Sequence, residues 1–123
     1  MRSLLVAIAA TAVLAALVPS TAGAAVKRCR SADLRYPFRS GLPNDFGVFK
    51  LRIRHGSCAT AHRVAKEWMR RFEADLRAGH VKLPKRVYGF AFDTLDPDAA
   101  QTYNERGRKG LKTIRFDYRV PNG

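Results

Sequence analysis

Between Ser57 and Gly79 the apolar residues fall at Ala61, Val64, Ala65, Trp68, Phe72 and Leu76, nearly always three or four positions apart. That spacing lines them up along one side of an α-helix, with Met69 at the margin of the stripe. Ser57 suits the cap of the first turn and Gly79 the left-handed position beyond the last, so a helix is expected over about Cys58 to Ala78. A helix this long with one apolar stripe needs a second layer to lie on.

The flanking segments offer strands. Val48 to Arg54 alternates, with Phe49, Leu51 and Ile53 pointing one way and Lys50, Arg52 and Arg54 the other. After Pro84, the stretch RVYGFAFD reads as one strand, with Val87, Gly89 and Ala91 on one face and Tyr88, Phe90 and Phe92 on the other. Leu111 to Val120 places Ile114, Phe116, Tyr118 and Val120 inward and Thr113, Arg115, Asp117 and Arg119 outward. Between these, Asp96, Pro97 and Gly107 have the order of a cap, a first helical residue and a stop, which reads locally as a short helix. A strand turning at Arg106 to Gly110 competes with it, because Tyr103 is the only large apolar residue there and no stripe forms. The expected fold is α+β, one long helix packed on a three- to four-stranded antiparallel sheet. Its core is expected from Val64, Trp68, Phe72, Leu76, Leu51, Ile53, Phe90, Ile114, Phe116 and Tyr118. Residues 25–46, with Pro37, Gly41 and Pro43, should form an irregular arm.

The first 24 residues have the three parts of a secretory signal: Arg2, an apolar run from Leu4 to Val18, and Ala22-Gly23-Ala24 after Pro19-Ser20. The run is shorter than the roughly 20 residues that span a bilayer. Cleavage is expected between Ala24 and Ala25, leaving one small domain over 25–123 in an extracellular setting. Val26-Lys27-Arg28 before Cys29 is basic where a lipid-attachment signal needs small apolar residues.

Two cysteines, Cys29 and Cys58, remain in that domain. In an oxidising compartment they are expected to pair, and closing a loop of about 30 residues contributes something like 3 kcal/mol. Other chemistries compete for the sulfur of Cys58. His55, Cys58 and His62 are spaced three and four apart, with His80 a conceivable fourth metal ligand, although Gly56 and Ser57 put the helix start after His55. A cysteine at a helix N-terminus also has a stabilised thiolate, and Gly79-His80-Val81 superficially resembles the histidine strand of secreted cell-wall cysteine peptidases. An acid–base hydrolase would draw on His62 or His80 with Glu67, Glu73 or Glu105, but no motif gathers them. Glu67 and Glu73 are expected to pair with helix cations instead. No cofactor, metal or catalytic residue is assigned.

Charge is the remaining handle. Lysines and arginines number 23 against 10 acids, a net +13 that falls to +12 without Arg2. Such a domain is drawn to polyanions. If the strands carrying Lys50, Arg52 and Arg54 and carrying Arg115 and Arg119 are neighbours, five cations share one face with Asp117 alone among them. The expected function is therefore a secreted basic binding module for anionic cell-wall polymer or a membrane surface. Aromatic residues are not interleaved with these cations, which argues against specific nucleic-acid readout.

Ser57-Cys58, Ala61 and Val64-Ala65, followed by Gly89-Phe90-Ala91-Phe92 and a basic hairpin over Arg108 to Tyr118, resemble a pattern in small secreted proteins of high-GC Gram-positive bacteria. There a helix cysteine is followed by a strand cysteine at the position of Phe92. The resemblance implies an extracellular address and an α+β fold, and it brings no catalytic residues.

Overall fold

A computed structural model describes residues 24–37, 46–96 and 102–120. The signal region up to residue 23, the loop carrying Phe38, Gly41 and Pro43, and Pro97 lie outside the described residues.

Helix α1 runs over Cys58–Arg77. The Ser57 hydroxyl accepts from the Thr60 backbone N–H at 3.1 Å, and Gly79 follows with φ of +86°. Ala61, Val64, Ala65, Trp68 and Phe72 are buried, as the stripe requires. Leu76 is a correction: it is 36% exposed, because the stripe continues into a last turn that no other layer covers.

The sheet is antiparallel throughout and has seven strands, more than the three or four expected. They are β1 (Lys27–Arg28), β2 (Arg35–Tyr36), β3 (Phe46–Arg54), β4 (Arg86–Val87), β5 (Phe90–Thr94), β6 (Thr102–Lys109) and β7 (Lys112–Arg119). The order is β1-β3-β7-β6-β5-β4, with β2 also paired to β3. Much of the excess comes from the arm. Instead of staying irregular, it places β1 against Arg52 and Ile53 and β2 against Phe46 and Gly47, covering the edge of β3 that β7 leaves free. Gly47, at φ +108°, permits this, since a side chain there would strike the Leu34 carbonyl.

One further segment corrects the sequence reading, and another decides between its alternatives. RVYGFAFD is a hairpin: Val87 pairs with Phe90 across Tyr88-Gly89, both at positive φ, which is the two-residue turn whose twist suits antiparallel strands. Val87, Phe90 and Phe92 therefore share the buried side. Residues 102–109 form the strand that competes with the short helix in the sequence, and return through Gly110-Leu111 into β7. The strand was hard to see because its inward side carries Tyr103, Glu105 and Gly107. Gly107 makes room for the Phe92 ring, whose nearest carbon would sit 2.5 Å from an added Cβ.

The alternation of β3 is also interrupted. A bulge falls between Phe49 and Arg52, with Lys50 at φ +54°. Val48, Leu51 and Ile53 are inward, while Phe49, expected inward, lies under the guanidinium groups of Arg35 and Arg119 at 4.1 and 4.0 Å. Between the layers, Trp68 stacks on Phe72 and meets Phe116 and Tyr118, each with ring centres 5.2–5.3 Å apart.

Cys29 and Cys58 are joined in a disulfide, with their Cα atoms 5.3 Å apart. The bond ties the arm to the first turn of α1. His62 Nε2 and Asp33 Oδ2, 2.7 Å apart, reinforce that junction.

Two outcomes check this account. Replacing both cysteines by serine should lower unfolding free energy by about 3 kcal/mol in urea denaturation; unchanged stability would mean the arm is held without the bond. Gly107→Ala should cost roughly 1–3 kcal/mol by displacing Phe92, and pairing it with Phe92→Leu should recover part of the loss.

Candidate functional site

One helix covers one face of the sheet, so the opposite face meets solvent. Its side chains follow from strand register. Arg28 on β1 stands opposite Arg52 on β3, Arg52 opposite Arg115 on β7, and Arg115 opposite Arg106 on β6. Four arginines thus form one row across four strands, ending at Asp93 on β5. The next row on the same face reads Arg54, Thr113, Arg108, Ala91 and Arg86. In the other direction come Phe49, Asp117 and Asn104, then Gly47, Arg119 and Thr102.

Few acids answer these cations. Arg106 lies 3.7 Å from Asp93, and Lys50 lies 3.8 Å from Asp117. Among the described residues no acid pairs with Arg28, Arg52, Arg54, Arg108 or Arg115. Arg52 donates instead to the Lys50 carbonyl at 2.7 Å. The Nε atoms of Arg106 and Arg115 are buried without a protein acceptor. Burial, and then the guanidinium of Arg115 opposite it, push the Arg52 pKa down, with Arg28 adding to the effect and Asp117 opposing it. Facing like charges on neighbouring strands cost on the order of 1 kcal/mol per pair.

Two clefts open on this face. One, of about 300 Å³, is lined by Arg52, Arg54, Arg108, Thr113 and Arg115, with Val26 and Ile53. The other, of about 530 Å³, is lined by Arg28, Arg35, Lys50 and Arg52, with Cys29 and Leu51. Arg52 belongs to both.

The structure brings together Arg52, Arg54 and Arg115 of the residues expected from sequence. Lys50 stands beside them on the bulge. Arg119 is set apart by Asp117 and packs on Phe49. Arg28, Arg106 and Arg108 complete the face and are not among the expected site residues, since Arg28 lies in the segment expected to be irregular and the spacing around Arg106 and Arg108 leaves helix and strand open. The signal that finds them is register, which the sequence leaves undetermined until the strands are paired.

Among the described residues, most groups named for the alternative chemistries are engaged elsewhere. In a disulfide Cys58 has no thiolate to offer a metal or a substrate. His62 is engaged by Asp33, and among the described residues no group of three histidines, cysteines or acids is placed to hold a metal. Glu67 binds Arg70 and Arg71, whose hydrogen bonds hold its carboxyl down at about 2. Glu73, expected to pair with helix cations, accepts from the Tyr118 hydroxyl at 2.6 Å. Tyr118 in turn accepts from Tyr36 at 3.0 Å, and burial pushes both phenols up. Among the described residues no helix is long and apolar enough to cross a membrane.

No family model matches the chain, and no curated protein or solved structure matches it.

Glu105 is the one acid turned inward on β6. It is 2% exposed and accepts from the Thr94 hydroxyl at 2.8 Å. Burial pushes its pKa up from 4.5 to about 7. A carboxyl whose folded pKa lies above its unfolded one binds its proton more tightly in the fold. Its contribution therefore turns unfavourable as pH rises from about 4.5 through 7. Glu105→Gln, which keeps an acceptor for Thr94, should flatten that fall and gain roughly 1–3 kcal/mol at pH 8 relative to wild type, with little gain at pH 4. Urea denaturation of both proteins at the two pH values measures this, and parallel pH profiles would count against a strained carboxylate.

Proposed function

We propose that this chain is a small secreted binding protein whose basic sheet face holds an anionic polymer of the cell envelope. The observation that carries the reading is the unbroken row Arg28–Arg52–Arg115–Arg106, flanked by Arg54 and Arg108 and answered, among the described residues, only by Asp93 and Asp117. A fold tolerates facing like charges more readily when an anionic partner neutralises them. The row is extended across four strands, which suits a polymer more than a small ligand.

The extracellular address is part of the proposal. It is supported by the leader-like first 24 residues, by the disulfide, which is at home in an oxidising compartment, and by the resemblance to small secreted proteins. Polymer is favoured over nucleic acid for a reason visible at Phe49. It stands in the row next to the arginines on the outer face, and Arg35 and Arg119 both lie over its ring, leaving it no ready platform for a base.

Lys50, Arg52 and Arg54 changed together to Gln should elute from teichoic acid and heparin resins at clearly lower salt than wild type, because surface attraction of this kind is screened by added ions. Equal elution salt for the two proteins would remove the face as a binding surface.

A further inference from the structure

The outer face is not uniformly basic. Around Thr113 the register builds an enclosure: Arg54 stands directly opposite on β3, Arg108 directly opposite on β6, and Arg115 two residues along β7 on the same side. Arg52 closes the fourth corner, opposite Arg115. These five side chains line the cleft of about 300 Å³. Directly opposed residues on antiparallel strands hold their Cβ atoms about 5 Å apart, and alternate residues on one strand about 7 Å apart. Four guanidinium stems thus rise around one hydroxyl, and among the described residues none of the four has an acid partner.

The chemistry of the donors selects the anion. A carboxylate offers two oxygens in one plane, and a single guanidinium fork satisfies them. Several arginine forks and a hydroxyl lining one cleft from different strands match an anion whose oxygens point in several directions, which is the geometry of a phosphate group. We infer that the Thr113 cleft is a phosphate subsite, seating one phosphate of a phosphate-linked polyol polymer while the Arg28 side of the row follows the strand of polymer beyond it. This rests on the polymer-binding reading and narrows it from anionic polymers in general to phosphate-bearing ones. Thr113 donates its hydroxyl proton to a phosphate oxygen, Arg54 and Arg108 grip from opposite sides, Arg115 lines the same cleft, and Arg52, shared with the second cleft, leads toward it, where the polymer continues.

The probes are inorganic phosphate and acetate, titrated at matched ionic strength and followed by the backbone and arginine Nε–H resonances of the labelled protein. Phosphate should shift Arg54, Arg108, Thr113 and Arg115 saturably, and acetate should not. Arg108→Gln, Arg108→Lys and Thr113→Ala should each weaken phosphate binding several-fold, while Arg119→Gln, across Asp117 from the cleft, should leave it unchanged. Thermal melts confirm that each variant folds. The lysine variant is decisive, because it keeps the charge and loses the fork. Phosphate affinity unchanged in Arg108→Lys, or equal shifts by phosphate and acetate, would overturn the subsite. If resin-bound teichoic acid still retained the protein in a salt-sensitive way under that result, the broader polymer reading would stand alone; loss of retention as well would remove both. Co-sedimentation with phosphatidylglycerol vesicles as strong as retention on poly(glycerol phosphate) would overturn the assignment to a polymer.

Discussion

One aromatic contact sets the layout of this molecule. Trp68 on α1 is fully buried, and its ring meets Phe72 on its own helix and Phe116 and Tyr118 on β7. Each such side chain contributes about 1.5–3 kcal/mol on burial, with roughly another 0.5–1.5 for well-placed ring pairs. The contact seats the long helix α1 against the middle of the sheet, since β7 is flanked by β3 on one side and β6 on the other. The inward apolar residues of the sheet then belong to one core, and the outward side of the central strands is left without a covering helix among the described residues. The basic face is open because, among the described residues, no second α-helix covers it.

The arm converts that general arrangement into a particular surface. The disulfide holds Cys29 at the first turn of α1, and the Cys29 N–H donates to the Leu51 carbonyl at 2.8 Å. Arg28, one residue earlier, is thereby held in register beside Arg52. Further along the arm, Ser31 and Arg35 both donate to the Val48 carbonyl at 2.9 Å, and the bulge that follows in β3 leaves that oxygen available to them. Tyr36, Tyr118 and Glu73 then connect arm, sheet and helix through two hydrogen bonds. A segment with too few apolar residues to pack by itself is positioned by one covalent bond and a few buried polar contacts, and it brings Arg28 and Arg35 to the face.

The helix, its cap, the cysteine pair and the inward side of β7 were legible in the sequence because each depends on local spacing or on compartment chemistry. Leu76 shows the limit of periodicity: it tells which side of a helix a residue occupies but not where the facing sheet stops. Phe49 shows a second limit, since one bulge reverses the parity of everything on its far side, and neither Lys50 nor Gly47 advertises its positive φ beforehand. β6 shows a third. Tyr103, Glu105 and Gly107 face inward, so apolar alternation is absent where the register with β7 runs longest. Of the candidate site, Lys50, Arg52, Arg54, Arg115 and Arg119 were legible as outward cations. Their grouping with Arg28, Arg106 and Arg108, and the separation of Arg119 behind Asp117, come from register between strands far apart in sequence.

The same strand parity that hid β6 also sharpens the electrostatics of the face. Along Glu105-Arg106-Gly107-Arg108 the acid points to the core and both bases point to solvent, the reverse of a strand that neutralises itself along one side. Glu105, with its pKa raised to about 7 by burial, is only partly ionised at neutral pH. It offers the outer arginines little compensation from beneath. Asp93 and Asp117 are then the acids left on that surface, and each already has a cation beside it. The field above Arg52, Arg54, Arg108 and Arg115 is therefore set by those four groups, and arginine is suited to sustaining it. Its charge survives the downward push that burial and Arg115 exert on Arg52, because a guanidinium starts so far above neutral pH. Lysine in the same row would be closer to losing its proton, and would lack the fork that turns concentrated charge into directed hydrogen bonds.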